Sequence, residues 1–316
     1  MNIRYFTICS NNYLARAITL GKSLRRHNPE RDFTIVLADR RYEEIHYSDF
    51  CPFEIVDCEI LREDIDAVAQ RHNIVEFNTL LKPFSFRRFL NEEGVDACVY
   101  LDPDIFVDDD LSTIEEMFSK ADVLLTPHLL DAPPSDTPYE GLALKVGIFN
   151  LGFLGLRRTP GVELLLEWWG SRLEKFCDSD YEKGLFVDQI WANYFPIFFD
   201  KVHVIRHYGC NLGYWNFEER VMSQEGPRRL VNGQPLLFIH ISSYDPLTPN
   251  VLASKLNYGF ERRPDLRAVY DEYRDELLKN GFGVFSRLSP KLPLRKRRMF
   301  MWAKWVRDQV RARLVR

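Results

Sequence analysis

Five carboxylates close the run VYLDPDIFVDDD at residues 99–110: Asp102, Asp104, Asp108, Asp109 and Asp110. Like charges at this spacing repel, and burying any of them unpaired is costly. Each must therefore be solvated or face something positive. Asp102 and Asp104 follow the apolar run directly and flank Pro103. An Asp-x-Asp turn at a strand end can hold a hard divalent cation through carboxylate oxygens, with coordination positions left open for phosphate oxygens. Pro103 stiffens the backbone between them, and its missing N–H costs nothing once the strand has ended. Taken alone the pair is a weak signal, common by chance in chains of this size. Asp108 to Asp110 lie where a helix begins, and carboxylates there meet unpaired N–H groups and the positive end of the helix dipole. They are expected to form a solvated helix entrance.

The elements that must position Asp102 and Asp104 alternate strand and helix. RYFTICS reads as a strand. NYLARAITLGKSLRRHN comes next, with Leu14, Ala17, Ile18, Gly21 and Leu24 at helical spacing. DFTIVLAD and FEIVDCEI read as strands, and FNTLLKPFSFRRFLNEEG as one helix with Pro83 near its start and Gly94 at its end. DACVYLD is apolar enough to be a strand buried on both faces. This alternation predicts an α/β fold with a mostly parallel, Rossmann-like central sheet flanked by helices. Ligands of such sheets bind beyond the carboxyl ends of the strands, near a switch in strand order, and the acidic turn sits at such an end.

Downstream, Ser112-x-x-Glu115 has the form of a capping box opening the helix STIEEMFSKA. DVLLTPHLL and IFNLGFLGLRR read as strands, and the proline-rich DAPPSDTPYEG between them as an extended loop that could cover a site. GVELLLEWWGSRLEKFC and FVDQIWANYFPIFF read as helices, VHVIRHYGCNLGYWNF and PLLFIHISSYD as late strands. The simplest division is a domain over 1–262 and a C-terminal helical region over 263–316 with a basic amphipathic tail.

The composition, 46% hydrophobic and 28% charged over 316 residues, is that of a globular protein able to bury a substantial core. No stretch reaches the ~18 uncharged apolar residues of a membrane span, and MNIRYFTICS lacks the pattern of a secretory signal. The six cysteines show no CxxC pair or metal-like spacing, which suits reduced core thiols and a cytoplasmic location. Residues 291–316 hold ten Lys/Arg against one acid, a net of +9; with −4 for the whole chain, this leaves −13 on the preceding 290 residues. Met299, Phe300, Met301, Trp302, Trp305 and Val306 fall among the basic residues at helix-compatible spacing. Such a helix can lie in the headgroup region of an anionic membrane, placing the protein on the cytoplasmic face of the inner membrane; alternatively it packs its apolar stripe on the body. Nucleic acid is disfavoured as a partner, because the body is acidic and no binding motif accompanies the tail.

In order, ICSNNYLARAITLGKSL, LLKPFSFRRFL, VYLDPDIFV, TPHLLD, FNLGFLGLRR, LFVDQIWAN and FIHISSYDP resemble the motifs of GT-A glycosyltransferases, most of all the family 8-like retaining enzymes and related bacterial polysaccharide-type sequences. The resemblance runs from about residue 3 to residue 260. It implies that Asp102 and Asp104 bind Mn²⁺ or Mg²⁺, which clamps the diphosphate of a nucleotide sugar, and that His240 completes the metal site. The family pattern continues with a Gly and a phosphate-gripping Lys; this chain has Ser242, Ser243 and Tyr244 there. The resemblance further implies that Lys82 approaches the donor phosphates and that Thr7, Cys9, Ser10 and Tyr13 line the nucleoside loop. Asn150 and Gly152 would run beneath the donor sugar, and Asp188 and Gln189 would stand at its reacting face. His128 and Asp131, just before the proline-rich loop, could face the acceptor. The activity so implied is a metal-dependent, retaining transfer of a hexose from a donor, UDP-linked by this resemblance, to a glycan or lipid-linked acceptor in surface polysaccharide assembly. Two other readings stay open: a nucleotidyltransferase that makes nucleotide sugars, against which the absence of a Gly-rich basic loop in ICSNNYLAR speaks, and a catalytically inactive GT-A-like scaffold.

Overall fold

The structure is a computed structural model and describes residues 1–132, 139–256 and 258–296. Its centre is a seven-stranded sheet. In chain order its strands are β1 (Ile3–Cys9), β2 (Asp32–Leu37), β3 (Glu54–Asp57), β4 (Ala97–Leu101), β6 (Val123–Pro127), β7 (Phe149–Arg157) and β8 (Val202–Val204). In space they run β8-β6-β7-β4-β1-β2-β3. All neighbours are parallel except β7, which is antiparallel to both β4 and β6. The expected α/β sheet is therefore present, with one reversed strand near its middle. Hydrophobic runs mark a strand as buried but carry no information on its direction. Two short strands, β5 (Ile105–Val107) and β9 (Phe238–His240), pair antiparallel beside the main sheet.

Alternate residues of β1 serve two cores, as a strand's period of two dictates. Ile3, Tyr5 and Cys9 pack with α1 (Leu14–His27), whose Leu14, Ala17, Ile18 and Leu24 form its inner stripe; Phe6 and Ile8 pack on the other face. That second face is covered by α2 (Ile65–Arg71), α3 (Ile74–Leu80), α4 (Lys82–Leu90) and α7 (Pro160–Phe176). The single helix expected over FNTLLKPFSFRRFL is two helices, since α4 starts afresh at Lys82 with Pro83 in its first turn. The remaining helices are α5 (Ser112–Glu116), α6 (Tyr139–Val146), α8 (Phe195–Phe198), α9 (Arg267–Lys279) and α10 (Phe282–Phe285). The capping box expected at Ser112 is not formed. Asp110 Oδ1 accepts the Ser112 N–H at 2.8 Å, while Glu115 is turned inward to the Tyr5 hydroxyl at 2.8 Å and to Arg31. Of the two late segments read as strands, Val202–Val204, Phe238–His240 and, at the first residue of the second segment, the two-residue strand Gln234–Pro235 are strands, and the rest is turn and loop.

The C-terminal helices share a core with β1 and α1, through Val269, Tyr270, Tyr273, Leu277, Phe282 and Phe285. After them residues 289–296 are not helical but form an extended strap across the carboxyl ends of β1 and β2. The backbone amides of Lys291 and Leu292 donate to Asp39 Oδ1 at 2.8 and 3.2 Å, Leu292 is buried, and the Arg295 amide donates to His72 O at 2.9 Å. The rest of the basic tail, and most of the proline-rich loop, lie outside the described residues. No helix among the described residues is long and apolar enough to cross a membrane.

Candidate metal and donor site

β4 is buried throughout and ends at Leu101, where the Asp102 amide donates to Gly152 O of β7 at 2.7 Å. The next residues form a turn closed by Ile105 N–H donating to Asp102 O at 3.0 Å, with Pro103 at the position that favours its fixed φ. The chain then enters β5, whose register with β9 sets Ile105 opposite His240. The Ile241 amide donates to Asp104 O at 2.9 Å, and the His240 amide to Leu212 O at 2.7 Å. A histidine far along the chain is thus carried to the acidic turn by backbone pairing. His240 Nε2 lies 3.0 Å from Asp104 Oδ1 and 3.6 Å from Asp102 Oδ2. One ligand atom from each of the three residues falls within 4.8 Å of the others.

The histidine's orientation is fixed from behind. Its Nδ1 lies 3.2 Å from Asn211 Oδ1. Asn211 is fully buried in the left-handed region (φ 57°), and its Nδ2 donates to Thr126 Oγ1 at 2.8 Å and to Asn150 Oδ1 at 3.0 Å. Asn150 Oδ1 also accepts the Gly152 amide at 3.0 Å, and Thr126 Oγ1 donates to Asn150 O at 3.2 Å. With these donors assigned, Asn211 Oδ1 accepts, so His240 Nδ1 carries a proton and Nε2 is the nitrogen presented to the carboxylates, free to ligate a cation once it has lost its own proton. This is the support that metal-ligating histidines need. Two carboxylates and one imidazole nitrogen suit Mn²⁺ or Mg²⁺, with ligand positions left for phosphate oxygens. Without a cation the same geometry favours an imidazolium: burial alone would lower the His240 pKa, but the Asp104 carboxylate more than offsets it and raises it. The reciprocal effect on Asp104 is a lowered pKa, His240 and Arg16 outweighing burial.

Gly152 stands against this ring. A Cβ there would lie 2.5 Å from His240 Cε1 and 2.7 Å from Asn150 Oδ1. The absent side chain expected to admit a donor sugar is thus required by the imidazole itself. Trp215 packs edge-on to His240, with ring centroids 5.1 Å apart, and also to His128, at 5.7 Å.

Lys82 opens α4 and is almost wholly buried. Its Nζ lies 2.8 Å from Asp188 Oδ2 and 3.7 Å from Asp102 Oδ1, donates to Leu151 O at 2.8 Å, and sits 4.4 Å from the centroid of the Tyr100 ring. Burial would lower its pKa; the facing Asp188 and Asp102 carboxylates raise it, so the ammonium is charged. Burial raises the pKa of Asp188, and Lys82 offsets part of that rise. The Tyr100 hydroxyl donates to Asp102 Oδ1 at 2.6 Å. Asp188 comes directly after Val187, held at φ 39°, a conformation that β-branched residues avoid. Gln189 is clamped at both ends of its amide: Oε1 accepts the Leu151 amide at 3.1 Å and Nε2 donates to Val146 O at 2.9 Å. Asp104, His240, Asp102, Lys82 and Asp188 thus form one connected row, and Gln189 ties its end to β7.

The other residues singled out in the sequence are more dispersed. Thr7 and Cys9 are buried within β1, which leaves their backbone as the part a ligand could use; burial raises the Cys9 thiol's pKa. Ser10 donates to Ala38 O at 3.1 Å and accepts from Asn78 at 3.2 Å. Tyr13 is 38% exposed, with the Arg16 guanidinium 4.5 Å from its ring centroid. His128 is buried, lies 3.2 Å from Asn150 Nδ2, and has its pKa pushed down to about 4 by burial. Asp131 lies at the surface, accepting from the Tyr208 hydroxyl at 2.9 Å. Beside it, Leu130, Ala143, Ile148, Phe149 and Arg206 line part of a cleft of about 430 Å³. Sequence reading missed Tyr100, Asn211, Trp215 and Arg16. The polar and aromatic residues packed into NLGYWN were the one local sign of the middle two.

No family model matches the chain. Two proteins of Bacillus subtilis strain 168 are similar to it. Uncharacterized protein YfnF is 26% identical over 286 residues, covering 88% of this chain and 92% of that protein. Uncharacterized protein YfnD is 25% identical over 277 residues, covering 85% and 86%. Among solved structures, the fold is similar to that of the glycosyltransferase GlyE of Streptococcus pneumoniae TIGR4 (TM-score 0.51, 19% identity, 91% of this chain and 66% of that one). It is also similar to that of the bifunctional glycosyltransferase WbbM (TM-score 0.50, 16% identity, 87% and 49%). The fold is GT-A: a mostly parallel central sheet flanked by helices, with the acidic turn at the carboxyl end of its middle strands.

Proposed function

We propose that this chain is a metal-dependent glycosyltransferase that moves a hexose from a nucleotide-sugar donor, UDP-linked, to a glycan or lipid-linked acceptor with retention of configuration. One observation carries the reading: two carboxylates and an imidazole of fixed tautomer converge at the carboxyl end of the sheet, beside a buried Lys82–Asp188 pair. Asp102, Asp104 and His240 would hold Mn²⁺ or Mg²⁺. When bound, such a cation supplies Lewis-acid stabilisation of the charge that develops on a departing diphosphate. Lys82 fixes both Asp102 and Asp188, so the metal ligand and the carboxylate of the sugar subsite move as one unit. Asp188 then orients donor hydroxyls and stabilises positive charge developing at the anomeric carbon. Gln189 holds Asp188 in register with β7, beneath the sugar. Retention follows the resemblance of the motifs to the family 8-like retaining enzymes. The nucleoside lies along Thr7, Cys9, Ser10 and Tyr13, and the acceptor enters by His128 and Asp131, next to the cleft lined by Leu130 and Phe149. The basic tail of residues 291–316 docks the enzyme on an anionic membrane during surface polysaccharide assembly.

Calorimetric titration of UDP and GDP, each with and without Mn²⁺, tests this. UDP binding only when the metal is present is the expected outcome. Failure of both nucleotides under both conditions overturns the reading, and metal-independent binding overturns the role of the acidic turn.

A further inference from the structure

Arg16 lies in α1, on the side of the acidic turn opposite Lys82. Its Nη2 donates to Tyr244 O at 3.1 Å, on the segment that leaves His240. Its guanidinium lies over the rings of Tyr13, 4.5 Å from the centroid, and Phe282, 5.3 Å from the centroid. Among the described residues it makes no ion pair. A guanidinium has five N–H donors in a fixed fork, so most of this one's capacity is unused by the described protein. Burial opposes its charge, and Tyr273 and Tyr13, followed by Asp104 and Asp245, more than offset that and raise its pKa. The hydroxyls of Tyr244 and Tyr273, whose ring centroids lie 6.3 Å apart, are buried without a partner among the described residues.

The charges on the row argue for what Arg16 is there to meet. Asp102, Asp104 and Asp188 carry three negative charges, and Lys82 one positive. A divalent cation on the acidic turn would bring the row to neutral. A nucleoside diphosphate arriving there brings two or three further negative charges, and Lys82 is already committed to Asp188. Arg16, with no anionic partner among the described residues, flanks the turn. It is anchored to both the nucleoside loop, through Tyr13, and the His240 segment, through Tyr244. Guanidinium forks match phosphate oxygens bidentately.

We propose that Arg16 is a specificity-determining residue of the donor site, binding the diphosphate of the nucleotide on the face away from Lys82. The inference rests on the nucleotide-sugar reading above and adds to it the residue that distinguishes diphosphate from nucleoside. Its test compares wild type with Arg16→Gln and Arg16→Lys, using three probes: Mn²⁺ alone, UDP with Mn²⁺, and inorganic pyrophosphate with Mn²⁺. Arg16→Gln is expected to weaken both UDP and pyrophosphate by roughly 10- to 100-fold, the range of one or two charge-assisted hydrogen bonds. Arg16→Lys should recover part of that loss. Mn²⁺ alone should bind all three proteins equally, a readout that a merely structural role at Asp104 would move. Unchanged UDP affinity in Arg16→Gln overturns the proposal while the nucleotide reading stands. So does loss of UDP with pyrophosphate binding unaltered, which would assign Arg16 to the nucleoside through Tyr13. A wild-type protein that binds no UDP with Mn²⁺ overturns both. If Arg16→Gln fails to fold by thermal unfolding, Arg16→Lys decides: an affinity for pyrophosphate equal to wild type sinks the proposal, and a drop of threefold or more at equal Mn²⁺ affinity sustains it.

Discussion

Asp102 and Asp104 on one side of β5, and Asp108 to Asp110 on the other, meet opposite surroundings in the same fold. Asp108 pairs with Arg229, which also reaches Glu272 at 2.7 Å; Asp109 lies 3.6 Å from Arg228; Asp110 caps the Ser112 amide at 2.8 Å. Burial raises the Asp108 pKa, and Arg229 offsets part of the rise. Every carboxylate of this second cluster has a protein cation or a backbone donor. At the first cluster the nearest lysine is 2.8 Å from a different aspartate and 3.7 Å from Asp102, and Asp104 faces an imidazole nitrogen. Carboxylates whose charge is balanced from within the chain build structure. Those balanced only in part are the ones that remain open to an external cation.

The sharpest way to break this contrast is to neutralise one member of each cluster. Asp104→Ala is expected to lower Mn²⁺-dependent UDP affinity by at least about 100-fold, removing one of three protein ligands. Asp108→Asn should leave that affinity within about twofold and instead reduce stability by about 2 kcal/mol, read from urea unfolding. Equal effects of the two on nucleotide binding would erase the distinction. Next in size, Gly152→Ala drives a methyl group into the His240 ring. Roughly 10- to 100-fold weaker Mn²⁺ binding is expected, measured by electron paramagnetic resonance; undiminished binding would mean that the imidazole is not a ligand.

Burial without any balancing charge predicts a pH effect at His128. Its folded pKa of about 4 lies below the ordinary value of 6.5, because burial disfavours the imidazolium. The unfolded chain therefore binds a proton that the folded chain excludes. The stability tied to neutral His128 is complete above pH 6.5 and is lost as pH falls toward 4, about 2 kcal/mol between pH 7.5 and pH 5. His128→Gln should flatten that part of the pH profile; an unchanged slope would refute the assignment. The smallest expected effect is that of Asn211→Leu, which removes the acceptor behind His240 Nδ1. About tenfold weaker Mn²⁺ binding at unchanged UDP specificity would match loss of an orienting partner.

Much of the site was legible, for reasons that differ from residue to residue. Asp102 and Asp104 stood out because they end a fully apolar strand, and Gly152 because a glycine interrupts another. The reason for Gly152 was not legible: the group pressing on it is a ring brought in by the pairing of β5 with β9. Asn211 and Trp215 carried only the faint local sign of the NLGYWN run, since Asn211's partner lies 29 residues away and is reached only through tertiary structure. The same holds for the acids read as a solvated helix entrance, because Asp108's partner lies 121 residues downstream. Glu115 was read as a capping residue on its spacing from Ser112, yet a buried phenol and an arginine outcompete the helix end for its carboxylate. Strand and helix order survived as expected because it rests on local apolar runs; the reversal of β7 was not foreseen, because direction is set by the connections.

The strap over residues 289–296 orders events in time. Asp39 is fully buried, and two of the donors that satisfy its carboxylate are the Lys291 and Leu292 amides. As the chain leaves the ribosome, β1, β2 and the loops that follow them emerge first, with this carboxylate still lacking two of its three backbone donors. Its full complement arrives only when the segment around Leu292 has cleared the exit tunnel and folded back across the sheet edge. Domains fold broadly as they are synthesised, but here the carboxyl ends of the earliest-made strands are completed by some of the latest-made residues described. The rim at the carboxyl ends of β1 and β2 is thereby kept unfinished until almost the whole described body of the protein exists, so an interrupted translation product would present an open, unsatisfied rim.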